Sequence, residues 1–257
     1  MSRISLSEVP LVLIPALNEE HSVSRVVLAA RSIGYPVCVI DDGSTDTTAQ
    51  TARVAGAIVL RLPLNVGVGG ALRCGFRYAV AKGFSTVVQV DGDGQHDPHD
   101  IPAMLEKMVT SEADMVIGSR FVSSDRHYPV ARGRRLAMRV LAWQGSKSVS
   151  AIITDATSGF RVIRRPLLEY FAEDYPVEYL GDTVEALIAA GSRGARVVEH
   201  PIQMSPRWHG SSSAGMLASV WYMVRVLLAA SLMRGRSVQA TLGQAQLGQD
   251  DNHRELS

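Results

Sequence analysis

Little in this chain of 257 residues points to the simplest specialised classes of protein. Its two cysteines, Cys38 and Cys74, are too few for a disulfide framework or a cysteine-based zinc site, and predict a reducing compartment. Neither sign of charge dominates: 26 Lys and Arg against 25 Asp and Glu leave a net charge of +1. No overall field therefore draws the protein to nucleic acid, and the arginines lack the interleaved aromatics of a nucleic-acid surface. Only 6% of residues are aromatic, yet 46% are hydrophobic, which excludes disorder of the whole chain. No heptad or collagen repeat is present. The first residues lack a charged segment followed by a long apolar run, so no secretory signal is expected. The longest apolar stretch, 217–233, is interrupted by Arg225. A central arginine costs about 2.5–3.5 kcal/mol on insertion scales, so an amphipathic helix at a membrane interface or on the domain is expected rather than a span. The polar, glutamine-containing tail at 236–257 is expected to be disordered.

What is present alternates. Leu11-Val12-Leu13-Ile14, Val37-Cys38-Val39-Ile40, Ala57-Ile58-Val59-Leu60 and Thr86-Val87-Val88-Gln89-Val90 are short β-rich runs. They are separated by helical stretches near 19–32, 47–55 and 71–81, the first with Val23, Val26, Val27 and Ala30 on one face. A further helix is predicted at 182–190, with Asp182 and Glu185 at capping-box spacing and Gly191 ending it. Arg196 to Glu199 reads as a last strand. This order predicts an α/β fold with a mostly parallel sheet, in which the loops at the carboxyl ends of the strands form the ligand crevice. The unusual polar clusters fall at those ends, beginning at Pro15, Asp41, Asn65 and Asp91.

Asp91-Gly92-Asp93-Gly94-Gln95 carries the sharpest chemistry. Two carboxylates one residue apart offer hard oxygens to Mg²⁺ or Mn²⁺, and the glycines permit close approach. A solvated turn is the plain alternative. Asp41-Asp42-Gly43-Ser44-Thr45-Asp46 follows the second strand. Its acids could accept hydrogen bonds from a ribose or base, or could form an Asx turn and a helix cap. Asn65 to Gly70, with Gly67 at its centre, could offer backbone N–H groups to a phosphate, although it matches neither a dinucleotide fingerprint nor a P-loop.

Pro15-Ala16-Leu17-Asn18-Glu19-Glu20, the 41–46 and 65–70 clusters, 91–96, Gly118-Ser119-Arg120 and Asp155-Ala156-Thr157-Ser158-Gly159-Phe160-Arg161 occur in a fixed order. That order resembles family 2 glycosyltransferases, most of all the polyprenyl- and dolichyl-phosphate mannose and glucose synthase branch, from about Val9 to Met233. The resemblance implies a GT-A fold in one domain over 1–235, a nucleotide-diphosphate sugar donor, a Mg²⁺ or Mn²⁺ cofactor and inversion at the anomeric carbon. It assigns Pro15, Leu17, Glu19 and Asp42 to the nucleoside pocket. Asn65 and Gly67 also fall on the donor side. Asp91 would stand near ribose and metal, and Asp93 with Gln95 would hold the ion. Arg120, Arg134 and Arg207 would grip donor and acceptor phosphates, and Asp182 is the candidate general base should the acceptor be an alcohol. His96, which follows the acidic cluster, is expected to be structural.

The implied partners are the sugar donor and a lipid-phosphate acceptor. Localisation would be cytoplasmic and peripheral on the cytoplasmic face of the membrane, with a membrane partner protein or a second copy of the chain compatible with it. Transfer to a non-lipid alcohol and a non-catalytic nucleotide-sugar-binding subunit are the competing readings. A sugar-1-phosphate nucleotidyltransferase is disfavoured, because the first loop is acidic where that class carries a basic, glycine-rich one.

Overall fold

The computed structural model describes residues 9–122, 142–143, 145–149, 151–176 and 182–205. The elements in chain order are β1 (Leu11–Ala16), α1 (Val23–Ser32), β2 (Val37–Asp41), α2 (Thr48–Val54), β3 (Ile58–Arg61), α3 (Gly67–Ala81) and β4 (Thr86–Gln89). A 3-10 turn at Pro98–Asp100 leads into α4 (Ile101–Thr110). Then follow β5 (Met115–Ser119), β6 (Arg161–Arg164), α5 (Leu167–Asp174), α6 (Asp182–Ser192) and β7 (Val197–Pro201). The strands form one seven-stranded sheet in the order β3-β2-β1-β4-β6-β5-β7. Its neighbours run parallel except at β6, which is antiparallel to both β4 and β5. The mostly parallel α/β expectation is therefore met.

Strands β1 and β2 are buried along their whole length, as expected for parallel strands covered on both faces. Val23, Val26, Val27 and Ala30 of α1 pack into a cluster with Val12, Ile14, Val39 and Val88, so the predicted stripe is the buried one. Helix α3 packs through Leu72, Phe76 and Ala79, all fully buried. Gly75 lets it come close, because a Cβ there would stand 2.9 Å from Ile40 Cδ1. Phe76 in turn meets Phe171 and Tyr175, at 5.9 and 5.0 Å between ring centroids.

Strand β1 runs through Pro15. The amide of Val12 donates to Pro36 O on the β2 side, and Leu13 O accepts from Val90 N on the β4 side. Alternation puts the Pro15 nitrogen on the β4 side, past the last paired residue Gln89, so no ladder bond is lost.

Three expectations are corrected. Helix α1 starts at Val23, not near Glu19, because residues 18–20 are tied to the next loop. The glycines at 67–70 are not a loop: they open α3, with Gly67 at φ 84°. Helix α6 does not stop at Gly191 but runs to Ser192, and Gly194 (φ 68°) makes the left-handed turn. Gly191 instead serves a close approach, since a Cβ would lie 1.9 Å from Ser148 O. Strands β5 and β6, absent from the expected list, complete the sheet. Arg134, Arg207, the 217–233 segment and the 236–257 tail lie outside the described residues.

Candidate active site

The ends of β1, β2, β4 and β5 and the start of β6 share one rim of the sheet, because β6 runs the opposite way. The loops after β1 and β2 are laced together. Asn18, whose φ of 55° suits the left-handed tolerance of asparagine, donates its amide to Ser44 Oγ at 3.0 Å and accepts from the Thr45 amide at 2.9 Å. The Glu19 amide donates to Thr48 Oγ1 at 2.8 Å. Glu20 Oε2 accepts from the Thr47 hydroxyl and amide at 2.6 and 3.0 Å, which hold its carboxyl below the usual range. These bonds fix the two loops before any ligand arrives.

Of the residues assigned to the nucleoside pocket, Pro15 is buried in β1 and Leu17 is 39% exposed. The Glu19 carboxylate accepts from Ser22 Oγ at 2.6 Å. Asp42 is buried, and its Oδ1 accepts from the Val66 amide at 2.8 Å. Burial pushes its pKa up and the Asp41 charge adds to this. The Val66 and Gly67 amides oppose the rise without cancelling it. Asn65 Oδ1 accepts from the Gly67 amide at 2.9 Å. Those two donors at the start of α3, expected to face a phosphate, are thus engaged by Asp42 and Asn65. The carboxylate takes the place that an anion occupies at a helix N-terminus.

Asp91 differs. Its side chain is 36% exposed, and Oδ2 stands 3.4 Å from Nε2 of the buried His96. Burial raises its pKa, but the His96 hydrogen bond and charge, then Arg161 and Arg120, outweigh it and hold the carboxyl below the usual range. The carboxylate lies against Gly159, where a Cβ would fall 2.4 Å from Oδ1. Any side chain at 159 would displace it. Asp93, 7% exposed, accepts from the Gln95 amide at 3.0 Å. The turn between them, with Gly94 at φ 73°, is clamped by Arg25 Nη2 on Gly94 O at 3.1 Å. His96 is buried, its ring 5.3 Å from that of Phe160.

Arg120, the expected phosphate grip, is already held by an acid. Its Nε and Nη2 make a two-pronged pair with Asp155, both at 2.6 Å, and Nη2 also donates to Thr157 Oγ1 at 2.8 Å. Its side chain is 8% exposed and that of Asp155 is fully buried. A carboxylate near an arginine with matched geometry is the stronger local partner, and the sequence reading had placed none there. Arg161, fully buried, donates to Ser158 O at 2.9 Å and Ala156 O at 3.2 Å. Asp182 opens α6, and its side chain lies outside the described residues.

Sequence reasoning included the 155–161 cluster but gave Asp155, Gly159 and Arg161 no role, and it left out Glu199. The clue was the density of small and polar residues at 155–159, next to an arginine that opens a strand and is followed by Val162 and Ile163. Among the described residues no group of three or more His, Cys, Asp or Glu could hold a metal ion by itself. A hollow of about 420 Å³ between α1 and α2, floored by Leu28, Gln50 and Val54, contains none of the expected site residues.

The sequence profile described as Glycosyl transferase family 2 matches residues 11–171, more than half of the chain. The chain belongs to glycosyl transferase family 2. This glycosyltransferase is 30% identical over 249 residues to the undecaprenyl-phosphate mannosyltransferase of Micrococcus luteus, covering 91% of this chain and 98% of that one. It is 32% identical over 217 residues to the polyprenol monophosphomannose synthase of Mycolicibacterium smegmatis, with 79% of each chain covered. A solved structure of glucosyl-3-phosphoglycerate synthase from Mycobacterium tuberculosis, in complex with Mn²⁺, uridine diphosphate and phosphoglyceric acid, shares the fold. Its TM-score is 0.64 at 21% identity, over 91% of this chain and 84% of that one.

Proposed function

We propose that this family 2 glycosyltransferase moves a hexose from a nucleotide-diphosphate sugar to a polyprenyl-phosphate lipid, with inversion at the anomeric carbon. The observation that carries the reading is Asp91. It is an acid kept ionised by surrounding cations yet open to solvent, one residue from Asp93, on the rim where an α/β sheet binds its ligand. The undecaprenyl-phosphate and polyprenol relatives, alignable over most of their length, supply the acceptor class.

The donor set suits a hard divalent cation. Mg²⁺ and Mn²⁺ are commonly held by one or two carboxylates together with substrate phosphates, so a protein cluster of three ligands is not required. Asp91 and Asp93 would hold it, with Gln95 beside them. When bound, the metal neutralises charge on the departing nucleoside diphosphate. The laced loops of β1 and β2, carrying Leu17, Glu19 and Asp42, receive the nucleoside without reordering. Arg120 and Arg161 act from behind the rim. They add positive potential at Asp91 and hold the 155–159 loop rather than touching the phosphates themselves.

In the reaction, an acceptor phosphate oxygen attacks the anomeric carbon as the bond from that carbon to the diphosphate oxygen breaks. The acceptor is already anionic, so no general base is needed. Asp182 enters only if the acceptor is an alcohol. Access to a lipid acceptor calls for contact with a membrane; among the described residues no helix is long and apolar enough to cross one. The test is transfer from UDP-glucose, UDP-N-acetylglucosamine and GDP-mannose to undecaprenyl phosphate in phospholipid vesicles with Mn²⁺. The expected result is a glycosylated lipid from at least one donor, lost in Asp93→Ala. Turnover of none of them, or turnover that survives Asp93→Ala, overturns the reading.

A further inference from the structure

Glu199 lies on β7, opposite Ile117 of β5, and nothing in the proposed chemistry calls for it. It is nonetheless committed to the site. Oε1 accepts from the amides of Thr154 and Asp155 at 2.9 and 2.8 Å, and Oε2 accepts from Thr154 Oγ1 at 2.8 Å. Thr154 has one hydroxyl proton and gives it to Glu199. The 2.8 Å contact between Ser119 Oγ and Thr154 Oγ1 must then be donated by Ser119. Ser119 Oγ in turn accepts from the Phe121 amide at 3.2 Å. The chain of donors runs one way, from the end of β5 to β7.

What it anchors is the start of the loop that reaches the rim. Asp155, whose amide Glu199 holds, pairs through its side chain with Arg120. Four residues on, Gly159 sets where the Asp91 carboxylate can stand. Arg161 fastens the far end of the same loop through the carbonyls of Ala156 and Ser158. Glu199 is half-buried, and burial pushes its pKa up against the pull of the three donors.

We propose that Glu199 is a positioning residue for the donor site: it fixes the 154–159 loop, and through Gly159 that loop fixes the Asp91 carboxylate. The inference deepens the reading of Asp91 as a donor-site acid and rests on it. Glutamine at 199 can keep both amide bonds on its carbonyl and donate to Thr154 if the Thr154 and Ser119 hydroxyls reverse. Alanine can do neither.

The test compares Glu199→Gln, Glu199→Ala, Asp91→Asn and the Glu199→Ala/Asp91→Asn pair by calorimetric binding of UDP and of GDP with Mn²⁺. Amide hydrogen exchange of residues 154–160 is followed alongside. Outer residues that orient a binding group commonly change affinity about 10–100-fold, so Glu199→Ala is expected to weaken binding by about 10-fold. Glu199→Gln should stay within about 3-fold, and Glu199→Ala should add under about 2-fold once Asp91 is Asn, as coupled positions do. Exchange at 154–160 should rise in Glu199→Ala and not in Glu199→Gln.

Equal losses from Glu199→Ala in both backgrounds, or a glutamine variant as weak as the alanine one, overturn the proposal. If Glu199→Ala does not fold, Thr154→Val removes one of the three bonds, and unchanged binding and exchange in that variant overturn it. Wild-type protein that binds neither nucleotide sinks the donor reading instead, and in that case the exchange rates alone decide whether Glu199 holds the loop.

Discussion

At the end of β2 and just past the end of β4 the chain sets paired acids, and it treats them oppositely. Asp41 and Asp42 turn inward: Asp41 accepts from the Ser44 amide at 3.1 Å, and Asp42 from that of Val66. Burial and mutual repulsion push Asp42 toward its neutral form. Asp91 has one side open, and its contact with His96, then the Arg161 and Arg120 guanidinium groups, hold its carboxyl below the usual range. The same residue type thus closes a loop at one strand end and leaves a charged, half-exposed carboxylate at the other. Neighbouring cations and exposure, not the acid itself, decide which.

The largest expected effect tests the support behind Asp91. Asp155→Ala leaves Arg120 buried without its carboxylate, and breaking a buried pair on one side should cost about 3–5 kcal/mol in urea unfolding. Next, Asp91→Asn keeps the shape but removes the charge; sugar transfer should fall about 100-fold or more with little change in melting temperature. Gly159→Ala should approach the same loss although the acid is intact, because the new methyl displaces it.

The β2 end should respond in stability instead. Asp42→Ala strands the Val66 amide and should cost about 1–3 kcal/mol. Asp42→Asn keeps an acceptor and sheds a penalised charge, so its unfolding free energy should stay within about 0.5 kcal/mol of wild type. The smallest effect lies in pH. The folded-state pKa of Asp91 lies below its unfolded value of about 3.9. Its contribution is therefore present above that value and lost as pH falls through the lower folded pKa. Asp42, with its pKa raised, contributes fully below about 3.9 and loses that contribution as pH rises through its folded pKa. Asp42→Asn should accordingly gain on wild type in chemical denaturation between pH 4 and pH 7, and an Asp42→Asn deficit that grows with pH would break the comparison.

Much of this was legible in sequence where the signal is local. The apolar runs at 11–14 and 37–40 need burial on both faces, and Asp91-Gly92-Asp93 follows such a run, so both the strands and the acids at the rim announce themselves. The Asp155 partner of Arg120 was not legible, because it lies 35 positions away and no period links the two. Gly67 was misread for a different reason: glycine marks loops in general, whereas here it starts a helix whose first donors already have acceptors. Gly159 has no side chain and Glu199 is a single acid after two valines in a strand, so only the assembled rim gives them meaning.

The reversed strand β6 has one more consequence. By pairing Val88 with Val162 and Val116 with Val162, it inserts a late segment between two earlier ones, and β7 must still pair beyond it. Contacts so distant along the chain form slowly. The β1–β4 half can gather its own core, but Asp91 finds its seat only when the strand that begins at Arg161 has slotted in. Competence to bind the donor should therefore appear as a late, all-or-none event in refolding, after most of the helix signal has returned.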